Sequence, residues 1–180
     1  MSKKVIIDGC DLTGKTTLIN KLIAYYNDPD LSYLHFSYRD RTDYDFYNTM
    51  LDKENFISDR HFIDEIIYPL IFNRKANLNT TEFAKLLDKC NKENIKIIIL
   101  ITDPSELLKR MRDEEEPEIK NNLLKINESF IELAKHYNLQ VFDTSKDSFE
   151  NIVAYIGGKN ERNKSNMSKQ ISQKSRRFSK

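Results

Sequence analysis

The stretch Gly9-Cys10-Asp11-Leu12-Thr13-Gly14-Lys15-Thr16-Thr17 constrains this chain more than any other. It matches G-x-x-x-x-G-K-[ST] at every fixed position, between the apolar run Val5-Ile6-Ile7-Asp8 and the periodic segment Leu18-Ile19-Asn20-Lys21-Leu22-Ile23. Strand, glycine-bounded turn and amphipathic helix, in that order, make a loop that cradles polyphosphate. Its glycines let the chain turn tightly and bring backbone N–H groups close to an anion. The helix opening near Lys15 adds free N–H groups and the positive end of its dipole. In this setting Lys15 reaches the β- and γ-phosphates and the Thr16 hydroxyl ligates Mg²⁺, so residues 9–17 read as an ATP-binding loop.

Beyond the loop, apolar spacing alternates between the helical and strand periods. Residues 15–27 form a helix with Leu18, Ile19, Leu22, Ile23 and Tyr26 in one stripe, stopped by Asp28-Pro29-Asp30. A second strand is expected over 31–37, a short helix over 43–53, and a buried strand at Phe56-Ile57-Ser58-Asp59-Arg60. Residues 61–73 read as helical with a kink or break at Pro69. Residues 80–93 are amphipathic through Phe83, Leu86, Leu87 and Cys90. Ile95–Ile101 reads as a central strand buried on both faces. A helix starts at Asp103-Pro104-Ser105, an acidic loop or lid broken by Pro117 covers 113–118, and a long helix runs over 123–137. A last strand at 139–142 and a closing helix at 149–156 complete the pattern. Five strands alternating with helices predict an α/β fold, a parallel sheet with helices on both faces.

At 180 residues the chain suits one folded domain. Its net charge of +1 is unevenly placed: residues 158–180 carry eight Lys/Arg against one Glu, and the remainder 21 basic against 27 acidic residues. We therefore expect a mildly acidic domain over 1–157 and a basic, disordered tail over 158–180, whose few apolar residues cannot offset ordering entropy. The two cysteines suggest neither a disulfide framework nor a zinc site. No leader-like or membrane-spanning run is present, and the expected compartment is the cytoplasm.

A phosphate loop says that a nucleotide is bound, not what is done with it. The deciding segment is Ser58-Asp59-Arg60-His61. Ligands of parallel α/β sheets sit beyond the carboxyl ends of the strands, so an Asp-Arg pair there points into the crevice that the loop faces. Asp59 is placed either to orient Mg²⁺ through water or to accept the proton of an acceptor hydroxyl. Arg60 offers its planar fork to an anionic acceptor.

These two segments together resemble thymidylate kinases and the related deoxynucleoside kinases, including bacteriophage members, and the resemblance runs to about residue 157. It implies a P-loop, three-layer α/β/α fold with a five-stranded parallel sheet and a short helical lid. It implies ATP as phosphoryl donor with Mg²⁺, and a deoxynucleoside monophosphate, foremost dTMP, as acceptor. Asp11 looks like the loop carboxylate that contacts the acceptor sugar, although a local turn hydrogen bond accounts for a lone Asp almost as well. Arg60 looks like the arginine that grips the acceptor phosphate and the transferred group, and Asp59 like the carboxylate near Mg²⁺. Arg110 and Arg112 stand where the family's lid arginines begin; helix C-terminal cations facing water are the other account of them. Arg39 stands near the position that supplies an arginine to the base. Phe36, Phe46 and Tyr47 are candidates to stack on the base, with core packing the commoner role for such residues. Tyr68 is expected against the sugar.

Two departures bear on the substrate. The lid continues as Asp113-Glu114-Glu115-Glu116 in place of further Arg and Gly, and Ile67-Tyr68-Pro69 stands where family members carry Ala-Tyr-Gln, so the base-reading amide is missing. The alternatives are a deoxynucleoside kinase acting on thymidine or deoxycytidine, and a non-catalytic nucleotide-binding regulatory module. The resemblance also implies a homodimer and suggests a viral source. For the tail, a solvated extension is the simpler reading, and an electrostatic handle for nucleic acid the sharper one.

Overall fold

The computed structural model describes residues 3–37, 43–112 and 117–157. The chain runs β1 (Lys4–Gly9), α1 (Lys15–Tyr26), β2 (Ser32–His35), α2 (Tyr44–Leu51), β3 (Phe56–Asp59), α3 (Asp64–Phe72), α4 (Thr80–Lys92), β4 (Lys96–Ile101), α5 (Pro104–Arg110), α6 (Pro117–His136), β5 (Gln140–Asp143) and α7 (Phe149–Ile156). The five strands form one parallel sheet in the order β2-β3-β1-β4-β5. The expected α/β fold and five-stranded parallel sheet are both present.

Alternation along the central strands divides the core into two layers. Ile6, Phe56, Ile97 and Ile99 face the side covered by α2 to α6, with Phe83, Leu86, Ile126 and Phe130 packed there. Val5, Ile7, Ile57, Ile98 and Leu100 face the other side, under Leu18, Ile19 and Leu22 of α1 and Ile152 and Val153 of α7. A strand covered on both faces needs apolar residues at every position, which is why β1 and β4 read as continuous runs. At the edge, β2 is mostly exposed, which explains its loose alternation.

Two expectations need correction. Helix α3 begins at Asp64, not at residue 61, and passes through Pro69 as a single element. The proline deprives the Glu65 carbonyl of a helical partner. The last turn is closed instead by the N–H of Asn73, in the left-handed region, bonding to the Pro69 carbonyl. Pro117 does not break a loop: it opens α6, which gains six residues over the expected start. Proline is favoured there because the first helical N–H has no intrahelical partner anyway. Of the expected lid, only residues 113–116 lie outside the described residues.

The sheet order sets the site. β1 lies between β3 and β4, with Ile7 opposite Asp59 and Gly9 opposite Leu100. The glycine is required there. At φ +137 a Cβ on Gly9 would fall 2.1 Å from the Leu100 carbonyl oxygen.

Candidate active site

Lys15 is almost fully buried, and its ammonium donates to the Gly9 carbonyl (2.9 Å) and the Cys10 carbonyl (2.7 Å). The lysine is thus held over its own loop by carbonyl dipoles. The Thr13 hydroxyl donates to the Cys10 carbonyl at 2.8 Å and stiffens the turn. Leu12 (φ 64) and Gly14 (φ 90) take left-handed conformations, which orient successive backbone N–H groups in the manner of an anion nest. Gly9 and Cys10 contribute backbone alone. The Cys10 side chain is buried, bonds through Sγ to the Leu123 carbonyl at 3.3 Å, and has its thiol pKa pushed up by burial to about 12.

A cavity of about 730 Å³ opens over residues 11–18 and is closed on its far side by Arg110, Arg112, Thr144 and Asp147. Arg110 Nη1 donates to the Leu12 carbonyl at 3.1 Å, so this arginine is tied to the phosphate loop rather than pointing to open water. A second cavity of about 400 Å³ lies over the N-terminal half of α3, lined by Phe36, Asp64, Glu65, Tyr68 and Asn77 among others. Asp11, His35 and Arg60 line both cavities, and so mark the passage between them.

Arg60 is the keystone of that passage. It leaves β3 at φ 66, a conformation an L residue adopts at a cost of order 1–3 kcal/mol. Its N–H bonds to the Ile7 carbonyl at 2.9 Å, and the Ser58 hydroxyl bonds to its carbonyl, which holds the turn in place. One arm of the guanidinium pairs with Asp11 and the other with Asp64 at 2.8 Å. Burial alone would lower its pKa, but the carboxylates of Asp64 and Asp11 outweigh that and raise it well above the usual arginine value. Asp11 shows the converse balance. Burial pushes its pKa up, yet Arg60, Lys15 and a 2.8 Å hydrogen bond from the Tyr68 hydroxyl bring it below the usual carboxylate range. Asp11 therefore makes long-range contacts to β3 and α3, not the local turn bond that its loop position also allowed.

Asp59 is almost fully buried at the end of β3. Thr16 Oγ1 donates to its Oδ2 at 3.3 Å, while its Oδ1 has no partner and is buried. A hydroxyl and an orphaned carboxylate oxygen on the floor of a phosphate loop fit Mg²⁺, which takes one or two protein oxygens and completes its shell with water and substrate phosphates. Among the described residues no group of three His, Cys, Asp or Glu is arranged to hold a metal by itself.

The aromatic candidates divide. Phe36 lines the second cavity with its ring edge-on to Phe46, Tyr47 and His61. Tyr47 also lines it, but its hydroxyl is spent on Glu65 at 3.1 Å; Phe46 packs behind Phe36. Arg39 lies outside the described residues. Sequence reasoning missed Asp64, His35 and Asp8. Asp64 lies four residues after Arg60, at the opening of the helix that follows it, and that proximity was the available signal. Asp8 is wholly buried behind the loop, accepting from the backbone N–H groups of Gly9 (2.9 Å) and His61 (3.2 Å). Nothing in its local sequence distinguishes it from a strand-end carboxylate.

A phosphate loop on a parallel sheet, with a second cavity beside it and an arginine in the passage, is the arrangement of a P-loop kinase, an enzyme that moves a phosphoryl group from a nucleotide to an acceptor. No protein-family model matches the chain. A probable thymidylate kinase of Methanocaldococcus jannaschii is 29% identical over 148 residues, covering 82% of this chain and 71% of that protein. Probable thymidylate kinase 1 of Saccharolobus solfataricus is 26% identical, over 83% of this chain and 93% of that protein. Among solved structures, the YorR protein of Bacillus subtilis in complex with phosphorylated GDP superposes with a TM-score of 0.68 at 24% identity, over 84% and 92% of the two chains. Thymidylate kinase of Candida albicans does so at 0.55 and 16% identity, over 91% and 92%, which again shows the fold. The chain is a kinase similar to probable thymidylate kinases over most of its length.

Proposed function

We propose that the chain transfers the γ-phosphoryl group of ATP to a deoxynucleoside monophosphate, with dTMP the foremost acceptor. The observation that carries this reading is Arg60, set between two cavities and sharing Asp11 with both. The 730 Å³ cavity takes ATP, its phosphates on the loop amides and Lys15, and Mg²⁺ bound to Thr16 and, through water, to Asp59. Held by Thr16 and Asp59, Mg²⁺ would supply charge neutralisation to the phosphates. The 400 Å³ cavity takes the acceptor, its sugar against Asp11 and Tyr68, its base against Phe36 and its phosphate toward Arg60. Arg110 and Arg112 close on the transferred group, and catalysis is positioning and electrostatics with no covalent enzyme intermediate.

A deoxynucleoside kinase is the second reading, and one observation favours it: both arms of Arg60 already hold carboxylates. We place the kinase domain at residues 1–157 and the enzyme in the cytoplasm; among the described residues no helix is long and apolar enough to cross a membrane. Coupled ADP release with MgATP against dTMP, dCMP, dAMP, dGMP and the matching nucleosides tests the assignment, with an Arg60→Ala variant alongside. Turnover of a monophosphate, lowered about 10³-fold or more in the variant, is expected from removing a charge-stabilising arginine. Turnover of nucleosides alone would move the enzyme to the second reading. ATP binding without transfer to any acceptor would leave a regulatory nucleotide-binding module.

A further inference from the structure

We propose that Asp64 is an internal stand-in for the acceptor's phosphate: it occupies one arm of Arg60, and an incoming monophosphate takes its place. The inference deepens the monophosphate kinase reading and rests on it.

The two carboxylates on Arg60 are not held alike. Asp11 is fixed from a second side, by the Tyr68 hydroxyl at 2.8 Å, and lies within the field of Lys15. Asp64 sits in the first turn of α3, lines the acceptor cavity, and gives Arg60 only its Oδ2, at 2.8 Å. Its Oδ1 is buried and finds no N–H or hydroxyl group to accept from. Asp64 as a whole also lies against the Asp8 carboxyl, close enough for the two to interact by charge and hydrogen bond. Two carboxyl groups hydrogen-bond only through a proton. Asp8 supplies it, because complete burial and then the proximity of Asp64 raise its pKa well above the usual carboxylate value. Asp8 thus stands behind Asp64 as a neutral donor that stays when the salt bridge to Arg60 is given up. A phosphate brings more charge and three acceptor oxygens to the guanidinium fork, and so wins the exchange. An uncharged nucleoside hydroxyl cannot, and leaves Asp64 where it is. The titratable and charged groups around the switch are Arg60 on the β3–α3 turn, Asp8 on β1, Asp11 and Lys15 of the phosphate loop, and Asp64 and Tyr68 on α3.

The test is steady-state kinetics of the full chain with dTMP, dCMP, dAMP and dGMP and their nucleosides. Asp64→Asn keeps an oxygen for the Arg60 hydrogen bond but removes the competing charge; Asp64→Glu keeps the charge. We expect KM for the accepted monophosphate to fall three- to tenfold in Asp64→Asn, with KM for ATP unchanged, and to return toward the wild-type value in Asp64→Glu. Should Asp64→Asn not fold, Asp64→Ser carries the same expectation. A merely structural Asp64 predicts the opposite, a monophosphate KM that is unchanged or raised in the variants that remove the charge, and that result overturns the inference alone. A wild-type enzyme that turns over no monophosphate overturns the parent reading and this inference with it.

Discussion

Two residues do work that their side-chain type alone does not announce. Gly9 holds the approach of β1 to β4, where any Cβ would meet the Leu100 carbonyl oxygen at 2.1 Å. Gly9→Ala should therefore destabilise by about 3 kcal/mol or more, adding steric displacement to a strained backbone. In a chain of this size that lowers the midpoint of thermal unfolding by roughly 6–12 °C. His61 is buried among Phe36, Tyr47 and Phe62, and neither ring nitrogen has a partner. Burial depresses its pKa to about 3, so the folded chain keeps it neutral. The unfolded histidine takes up a proton below about pH 6.5. Between those values the unfolded state binds more protons, and stability falls as pH is lowered, by up to about 1.4 kcal/mol per unit. His61→Phe suits the same aromatic surroundings and removes this contribution. Urea unfolding at pH 7 and pH 4.5 should then show the gap between the two conditions shrink by about 2–3 kcal/mol relative to wild type; an unchanged gap would assign the acid sensitivity elsewhere.

At the scale of elements, helix ends carry much of the specification. Asn79 accepts from the Glu82 N–H at 3.0 Å while Glu82 accepts from the Asn79 N–H at 2.9 Å, a reciprocal capping box that starts α4. Replacing Asn79 by Ala should cost about 1 kcal/mol, read as a lower midpoint in urea with an unchanged slope. Such local chemistry is also why most elements were legible in the sequence. Asp43, Asp103 and Ser148 cap α2, α5 and α7 close to where the residue pattern placed those starts. Proline is where the pattern misled. Pro69 and Pro117 both read as interruptions, yet one lies within a helix whose end is closed by Asn73, and the other opens a helix. A proline's meaning depends on how many helical residues precede it, and periodicity seldom places that boundary to within one turn.

Over the whole molecule, legibility ends where contacts depend on sheet order. The loop 9–17 and the Asp59-Arg60 pair were readable because motif and strand end lie side by side in sequence. Asp8 behind Asp64, and His35 beside Asp59, come together only because β3 is flanked by β1 and β2. Charge distribution is the other whole-chain property, and it bears on the segment 158–180, which lies outside the described residues. Ending the chain at residue 157 removes eight Lys/Arg and one Glu and takes the net charge from +1 to −6. The described lining of both cavities falls within residues 11–152, so the shortened chain should keep its turnover. Nucleic-acid affinity is where the two forms should part if the tail is an electrostatic handle. Eight cations on single-stranded nucleic acid give log K against log salt a slope of up to about −6. We expect the full chain to bind a single-stranded oligonucleotide weakly at low salt along a steep slope, and the shortened chain not to bind. Equal affinities of the two forms across a salt series would make 158–180 a solvated extension, with its charge serving solubility alone.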